Sequence, residues 1–304
     1  MASTTLAQSI TGGDPTVRVL VLHVDDVGMC HGANQAFLEL ARAGQVTTGS
    51  VMVPCPWFRE IADAVAAAGT ETRIDLGVHL TLTSEWPHYR WAPLSTRAKS
   101  SGLVDDQGYF PRNCLELRPR VVAEAAEIEF RAQIDHALAA GIDVTHLDTH
   151  MGAALVPELV DTYVRLGREY RLPILLPRDL DSYTSVLRMG ETPAALYQRI
   201  LDELSRAGLP LFDRFLMTPG VPSADVEATY RKMIETLPSG ASFFALHCNA
   251  PGDIETIVPP RAHWRTDEYR LFGSGRPMRW AAEAGIRTIG MREVRDLWRA
   301  ALPA

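Results

Sequence analysis

The patterned part of the chain begins with VRVLVLHV (17–24), apolar at all but two positions, and moves directly to GANQAFLELARAGQ (32–45), where apolar residues recur every three or four positions. The first pattern predicts a strand buried on both faces, and the second predicts an amphipathic helix with Gly44 near its C-terminal end. The same alternation continues. TTGSVMVP precedes the helical WFREIADAVAAAG, and RIDLGVHLTLT precedes PRVVAEAAEIEFRAQIDHALAAG, a long helix closed by Gly141. DVTHLDTH resumes extended character, followed by helix-like PELVDTYVRLGREY and the short strand LPILLP, while SFFALHC and IRTIGM read as closing strands.

Strands that alternate with helices imply a mostly parallel sheet covered by helices. At 304 residues the expectation is an α/β fold, a single-domain (β/α) barrel over 17–304, irregular or incomplete, after a frayed tail over 1–16. No GxGxxG follows the first strand, which weakens a dinucleotide-binding reading. Two stretches rich in turn residues and aromatics, SEWPHYRWAPL (84–94) and GLVDDQGYFPRN (102–113), read as long loops on one face.

Composition narrows the partners. The chain is 46% hydrophobic and carries a net charge of -7, with no Lys/Arg-rich run, so a nucleic-acid surface is not expected. No apolar run reaches the roughly 18–20 residues needed to cross a bilayer, and the N-terminus lacks the pattern of a secretory signal. The four cysteines are scattered without a CxxC pair, which points away from a disulfide framework or zinc knuckle. A cytoplasmic protein with a small or neutral substrate and no membrane partner is the expectation. Homo-oligomer assembly is left open.

Four strand-like segments contain or end in polar groups that a buried strand would not choose: Asp25-Asp26, His79, the trio His146, Asp148 and His150, and His247. In a barrel all strand C-termini open onto one face, so these residues can converge. Neighbours on a strand point to opposite sides, so the two acids cannot both be ordinary ligands unless the strand bends; one would bind metal and the other take a proton. An Asp pair also suits a helix cap or a solvated turn. In an extended THLDTH the trio shares one face, and in a helix His146 and His150 are neighbours. Either geometry brings imidazoles toward one ion, with Asp148 able to orient a ligand. Two imidazoles and a carboxylate leave positions open for water and substrate, the pattern of a catalytic site, where the pKa of water falls from about 15.7 to about 7. His247, with an ordinary pKa of about 6.5, suits proton donation to a leaving amine.

These motifs resemble those of the YdjC-like carbohydrate deacetylases. DDVGMCHGANQAF stands for the family's Asp-Asp-Phe-Gly opening with its later Gly-x-Asn, GVHLTLT for Gly-x-His-x-x-Leu-Thr, and THLDTH for Thr-His-x-Asp-Ser-His. AQI (132–134) and DEYRLF (267–272) match weaker features, and the resemblance runs from Val17 nearly to the end. It implies a barrel-like fold and one divalent metal ion, Mg²⁺ or Zn²⁺, held by Asp26, His79 and His150, with His146 as an alternative ligand or supporting residue beside Asp148. It further implies Asp25 as general base and His247 in place of the late His-Pro-Gly. Val27 replaces the family's Phe, Gly152 a third histidine and His31 a common proline, while Pro251 and Gly252 are displaced from His247.

The expected function is metal-dependent removal of an N-acetyl group from an amino sugar or oligosaccharide. Metal and Asp25 would activate water, and His247 would protonate the amine. Trp86, Tyr89, Trp91, Tyr109 and Phe110 offer flat surfaces for sugar rings, His31, close to the acids in sequence, could reach the pocket, and Arg178 could orient a carboxylate. The alternatives are another metal-dependent amidase or phosphodiesterase on a non-sugar substrate, and a catalytically silent sugar-binding protein.

Overall fold

The computed structural model describes Leu6, Ile10 and residues 13–69, 74–178 and 189–301. Most of the expected N-terminal tail lies outside the described residues. Seven strands form one sheet: β1 (Arg18–Val27), β2 (Thr48–Val51), β3 (Leu76–Leu80), β4 (Val144–Thr149), β5 (Arg214–Met217), β6 (Gly240–Leu246) and β7 (Ile286–Thr288). Every ladder is parallel, and the order is β4-β3-β2-β1-β6-β5, with β7 added to the beginning of β1. The α/β architecture expected from the alternation is present.

Its barrel is irregular. No ladder among the described residues joins β5 to β4. Instead the LPILLP stretch makes a single bridge, Ile174 beside Leu147, and then meets β5 through the Arg178 N–H to Phe212 carbonyl bond. β1 carries the nearly continuous apolar run because it is the one strand with three neighbours, β2, β6 and β7. Val19, Leu20, Val21, Leu22 and Val24 are all buried. A doubly covered strand has no solvent face on which to alternate polar residues.

Helices α1 (His31–Arg42), α2 (Phe58–Ala68) and α4 (Ala123–Ala139) follow the periodic stretches closely; α3 (Cys114–Leu117) is a single turn directly after the second long loop. α5 (Val160–Glu169), α6 (Ala194–Arg206), α7 (Val226–Glu235), α8 (Asp253–Ile257), α9 (Ala262–Gly273), α10 (Arg276–Glu283) and α11 (Met291–Ala301) complete the order. No described helix is long and apolar enough to cross a membrane. Stretches 84–94 and 102–113 are loops, as the turn residues predict.

Two local departures from regular strand decide where the chemistry sits. Val24 and Val27 of β1 pair with Gly49 and Val51 of β2, so β1 spends one residue more than its neighbour. That extra residue is a β-bulge, and Asp26 inside it takes φ +62°. Asp is among the few side chains that tolerate this left-handed region. Further on, β4 stops at Thr149, and His150 opens a short 3-10 stretch in which Met151 also has positive φ. The trio in THLDTH therefore lies neither on one continuous strand face nor on a helix.

Candidate metal centre

Parallel strands deliver their C-terminal ends to one rim, and the polar groups gather there. Asp26 Oδ1, His79 Nε2 and His150 Nδ1 converge: Oδ1 lies 3.6 Å from His79 Nε2 and 3.1 Å from His150 Nδ1. All three side chains are buried, and their ligand atoms lie within 4.8 Å of one another. Asp26 Oδ1 nevertheless accepts no well-directed hydrogen bond. A buried carboxylate oxygen facing two imidazole nitrogens without a proton properly placed between them is a donor set that a cation satisfies.

The far side of each imidazole supports the same reading. His79 Nδ1 lies 2.8 Å from Asp148 Oδ1, and Ser50 Oγ donates to Asp148 Oδ2 at 2.8 Å. His150 Nε2 lies 3.0 Å from Glu85 Oε2. With a carboxylate to receive one ring N–H, each imidazole turns its other nitrogen to the common point, where it can ligate an ion once it carries no proton. Asp26 Oδ2 is also engaged: Arg265 Nη1 of α9 donates to it at 2.8 Å. One carboxylate oxygen is thus fixed by a guanidinium while the other faces the two imidazoles.

The charges reflect this packing. Burial disfavours ionisation of Asp26, yet Arg265 and His150 hold its carboxyl well below the usual range. Burial would lower His150, but Glu85 and Asp26 push it up to about 10. Burial pushes His247 down to about 4, with Arg265 adding to the effect. Metal binding must therefore displace a proton from His150, while His247 is held as a neutral imidazole.

Asp25 also reaches the rim, which adjacent residues on a regular strand would not do together. The bulge at Asp26 provides the bend. Asp25 Oδ1 lies 2.7 Å from His23 Nδ1, and Oδ2 lies 3.7 Å from His247 Nε2. A cavity of about 420 Å³ opens over these groups, lined by Asp25, Asp26, His79, His150, His247 and Trp86 among others. Its far wall comes from Met217 at the end of β5, from Thr218 and Gly220 just past it, and from Trp264 and Arg265 of α9. A second cavity of about 520 Å³ adjoins it, sharing Trp86, Val258 and Arg261 and adding Tyr89 and Pro259.

Several residues singled out in the sequence lie elsewhere. His146 is buried below the rim, its Nε2 3.1 Å from His23 Nε2 and its ring filling the space where a side chain on Gly77 would stand. That close approach explains the glycine of GVHL and separates His146 from the converging trio. His31 pairs with Glu60 at 2.7 Å and packs against Trp57, outside both cavities. Trp91 is 3% exposed, its indole N–H given to the Thr83 carbonyl, so it is a packing residue and not a sugar platform. Phe110 is core, and Tyr109 lies under Arg90. Arg178 sits 3.6 Å from Asp213, ahead of β5, whereas the cavity lies past the other end of that strand.

Glu85, Arg265, Thr218 and Glu268 were not singled out as site residues. Glu85 lies in a loop. Arg265 and Glu268 occupy one face of α9, where their i, i+3 spacing resembles an ordinary surface pair. The one available signal was DEYRLF, which contains Glu268.

Residues 19–283 match the family described as YdjC-like protein. A carbohydrate deacetylase of Thermus thermophilus is 35% identical over 92% of this chain and 94% of its own length. One from Brevibacillus brevis is 32% identical over 52% of this chain, which spans 59% of that relative. A crystal structure of an Enterococcus faecalis protein, described as a candidate cellobiose-phosphate cleavage protein, superposes with a TM-score of 0.71 at 21% identity, covering 92% of this chain and 99% of that one. That likeness establishes the shared fold.

Proposed function

The chain belongs to the YdjC-like protein family, and from that premise we propose that it is a carbohydrate deacetylase, hydrolysing the N-acetyl group of an amino sugar or amino-sugar oligosaccharide. The observation that carries the reading is the convergence of Asp26 Oδ1, His79 Nε2 and His150 Nδ1 beside Asp25 at the base of a cavity. Asp26, His79 and His150 would hold one divalent cation. The donor set of two imidazoles and one carboxylate suits Zn²⁺ or another transition ion, and relatedness to the family leaves Mg²⁺ as the alternative. An ion held there would supply Lewis acidity toward the amide carbonyl and lower the pKa of water.

The chain's own groups do the rest. Asp25, beside the three converging groups and not one of them, accepts a proton from water as the water oxygen attacks the amide carbon. His247 Nε2, 3.7 Å from Asp25 Oδ2, stands where it can pass a proton to the departing amine. Trp86, at the junction of the two cavities, offers an indole face to a sugar ring. The adjoining second cavity supports a substrate longer than one ring.

A screen of acetylated amino sugars and oligosaccharides for released acetate, run with metal analysis of the purified protein, tests the reading. Acetate release that stops on chelation supports it. Turnover that releases phosphate or another acid would assign the same centre to a different hydrolase.

A further inference from the structure

Behind His247 lies a hydrogen-bonded chain that the mechanism above does not use. Glu268 of α9 is 1% exposed, and every hydrogen bond described for its carboxylate comes from a donor. The His247 backbone N–H donates to Oε2 at 2.6 Å, the Thr218 hydroxyl donates to Oε1 at 2.7 Å, and the Tyr230 hydroxyl also reaches Oε1. Thr218 Oγ1 in turn lies 2.7 Å from His247 Nδ1. Burial raises the Glu268 carboxyl to about 7 while the three donors oppose that rise, and it is in its ionised form that Glu268 holds them. A hydroxyl has one hydrogen and an ionised carboxylate has none to give. The Thr218 hydrogen is therefore committed to Glu268, and only its lone pairs face the imidazole. His247 must supply the hydrogen of that contact from Nδ1.

We propose that Glu268, acting through Thr218, is a positioning residue that fixes His247 in the Nδ1–H tautomer, with the Nε2 lone pair turned to Asp25 and the cavity. The proposal rests on the deacetylase reading for its chemistry, although the tautomer itself does not. Held this way, His247 begins the cycle as a proton acceptor. Asp25 takes a proton from water while the water oxygen bonds to the amide carbon, and that proton passes to His247 Nε2. The C–N bond then breaks, its electron pair goes to nitrogen, and nitrogen takes the proton from Nε2–H. The products are the free amine and acetic acid, and both groups return to their starting state. The opposite tautomer would present Nε2–H to Asp25 from the outset and could not accept the proton.

Two variants separate this role from mere packing. T218V keeps the shape and removes the relay, while T218S keeps the hydroxyl. With full metal content, T218V should lose at least about tenfold in kcat on an acetylated amino sugar, with KM within about twofold, and T218S should recover most of it. On a 4-nitrophenyl acetate ester, whose leaving group departs without a proton, the T218V loss should shrink below about threefold. Unchanged kcat in T218V, or an equal loss on both substrates, would overturn the proposal. The second measurement needs no turnover: ¹⁵N spectra of histidine-labelled protein, with His247 assigned by its absence in H247Q. Wild type should show Nδ1 protonated. In E268Q the amide oxygen stays with the His247 N–H, so its NH₂ faces Thr218 and turns the hydroxyl hydrogen toward Nδ1, moving the imidazole proton to Nε2. An Nε2-protonated wild type, or no change in E268Q, overturns the relay. Absence of acetate release from every substrate would instead remove the deacetylase reading and leave the tautomer result standing.

Discussion

Arg265 reaches Asp26 from 239 residues further along the chain, donating from Nη1 to Oδ2 at 2.8 Å. The contact ties α9 to the bulge of β1 and leaves Asp26 Oδ1 as the oxygen that faces the imidazoles. Asp26 is 2% exposed, so Arg265→Ala leaves a buried negative charge with His150 alone to offset it. Removing one partner of a buried pair costs roughly 3–5 kcal/mol. The partly exposed Arg265 points to the lower end of that range. A divalent cation compensates the same charge, so the loss should be largest in metal-free protein and should shrink on adding metal. Urea midpoints with and without metal check this; an equal loss in both would show that the guanidinium does not share Asp26 with the ion.

The two acids predict two different phenotypes. Asp26→Ala and His150→Ala each remove a converging ligand, and both should purify without stoichiometric metal and without acetate release. Asp25→Asn removes no ligand from the trio, so it should bind metal as wild type does. Its turnover should fall by about 10²–10⁴, the usual worth of a general base. Metal analysis beside acetate assays decides, and full turnover by Asp25→Asn would remove Asp25 from the mechanism.

Metal affinity should rise with pH, and the sign follows from His150. Burial would lower this imidazole, but Glu85 and Asp26 lift it to about 10, so it carries a proton at neutral pH. A cation must displace that proton, and the cost falls as pH climbs toward His150's own value. Between pH 6 and 8 affinity should grow about tenfold per unit for this one proton. Glu85→Gln removes one source of the shift and should flatten the slope. Competition with a chelator at pH 6, 7 and 8 reads it directly, and a flat profile contradicts a proton on His150.

The motifs visible in the sequence are those in which polar residues interrupt apolar runs. Asp25-Asp26 after VRVLVLHV, His79 in GVHL and the histidines of THLDTH stand out because a buried strand has no other reason to carry them. The sheet then gathers them as parallel strands must. The bulge that turns both acids to one rim was not visible, because it arises from register against β2, a property of two distant segments. Nor were the partners. Arg265, Glu268 and Glu85 are charged residues in a helix or loop, where water normally receives them, and only tertiary packing buries them. Thr218 was missed for a simpler reason: β5 is four residues long and ends in an unremarked Met-Thr-Pro-Gly. His146 shows the converse failure. Its spacing matched His150, but the ring is absorbed by the gap over Gly77.

His146 and Asp148, two residues apart on β4, play different parts. Asp148 Oδ1 lies 2.8 Å from His79 Nδ1, and its other oxygen accepts from Ser50. It therefore fixes the ring and leaves Nε2 free for metal. Asp148→Asn keeps a similar shape but loses the charge that strengthens that hydrogen bond. Substitutions of this kind at a ligand's outer partner typically cost 10–100-fold in metal affinity. The expected result is that loss, with kcat largely restored at saturating metal because Asp25 and His247 are untouched. His146→Ala removes a buried ring that touches no converging ligand atom. It should lower stability by creating a cavity, leaving metal affinity near wild type. Chelator competition and thermal melts on both variants discriminate the roles. If His146→Ala lost metal and Asp148→Asn did not, the ligand set would have to be redrawn around the lower histidines.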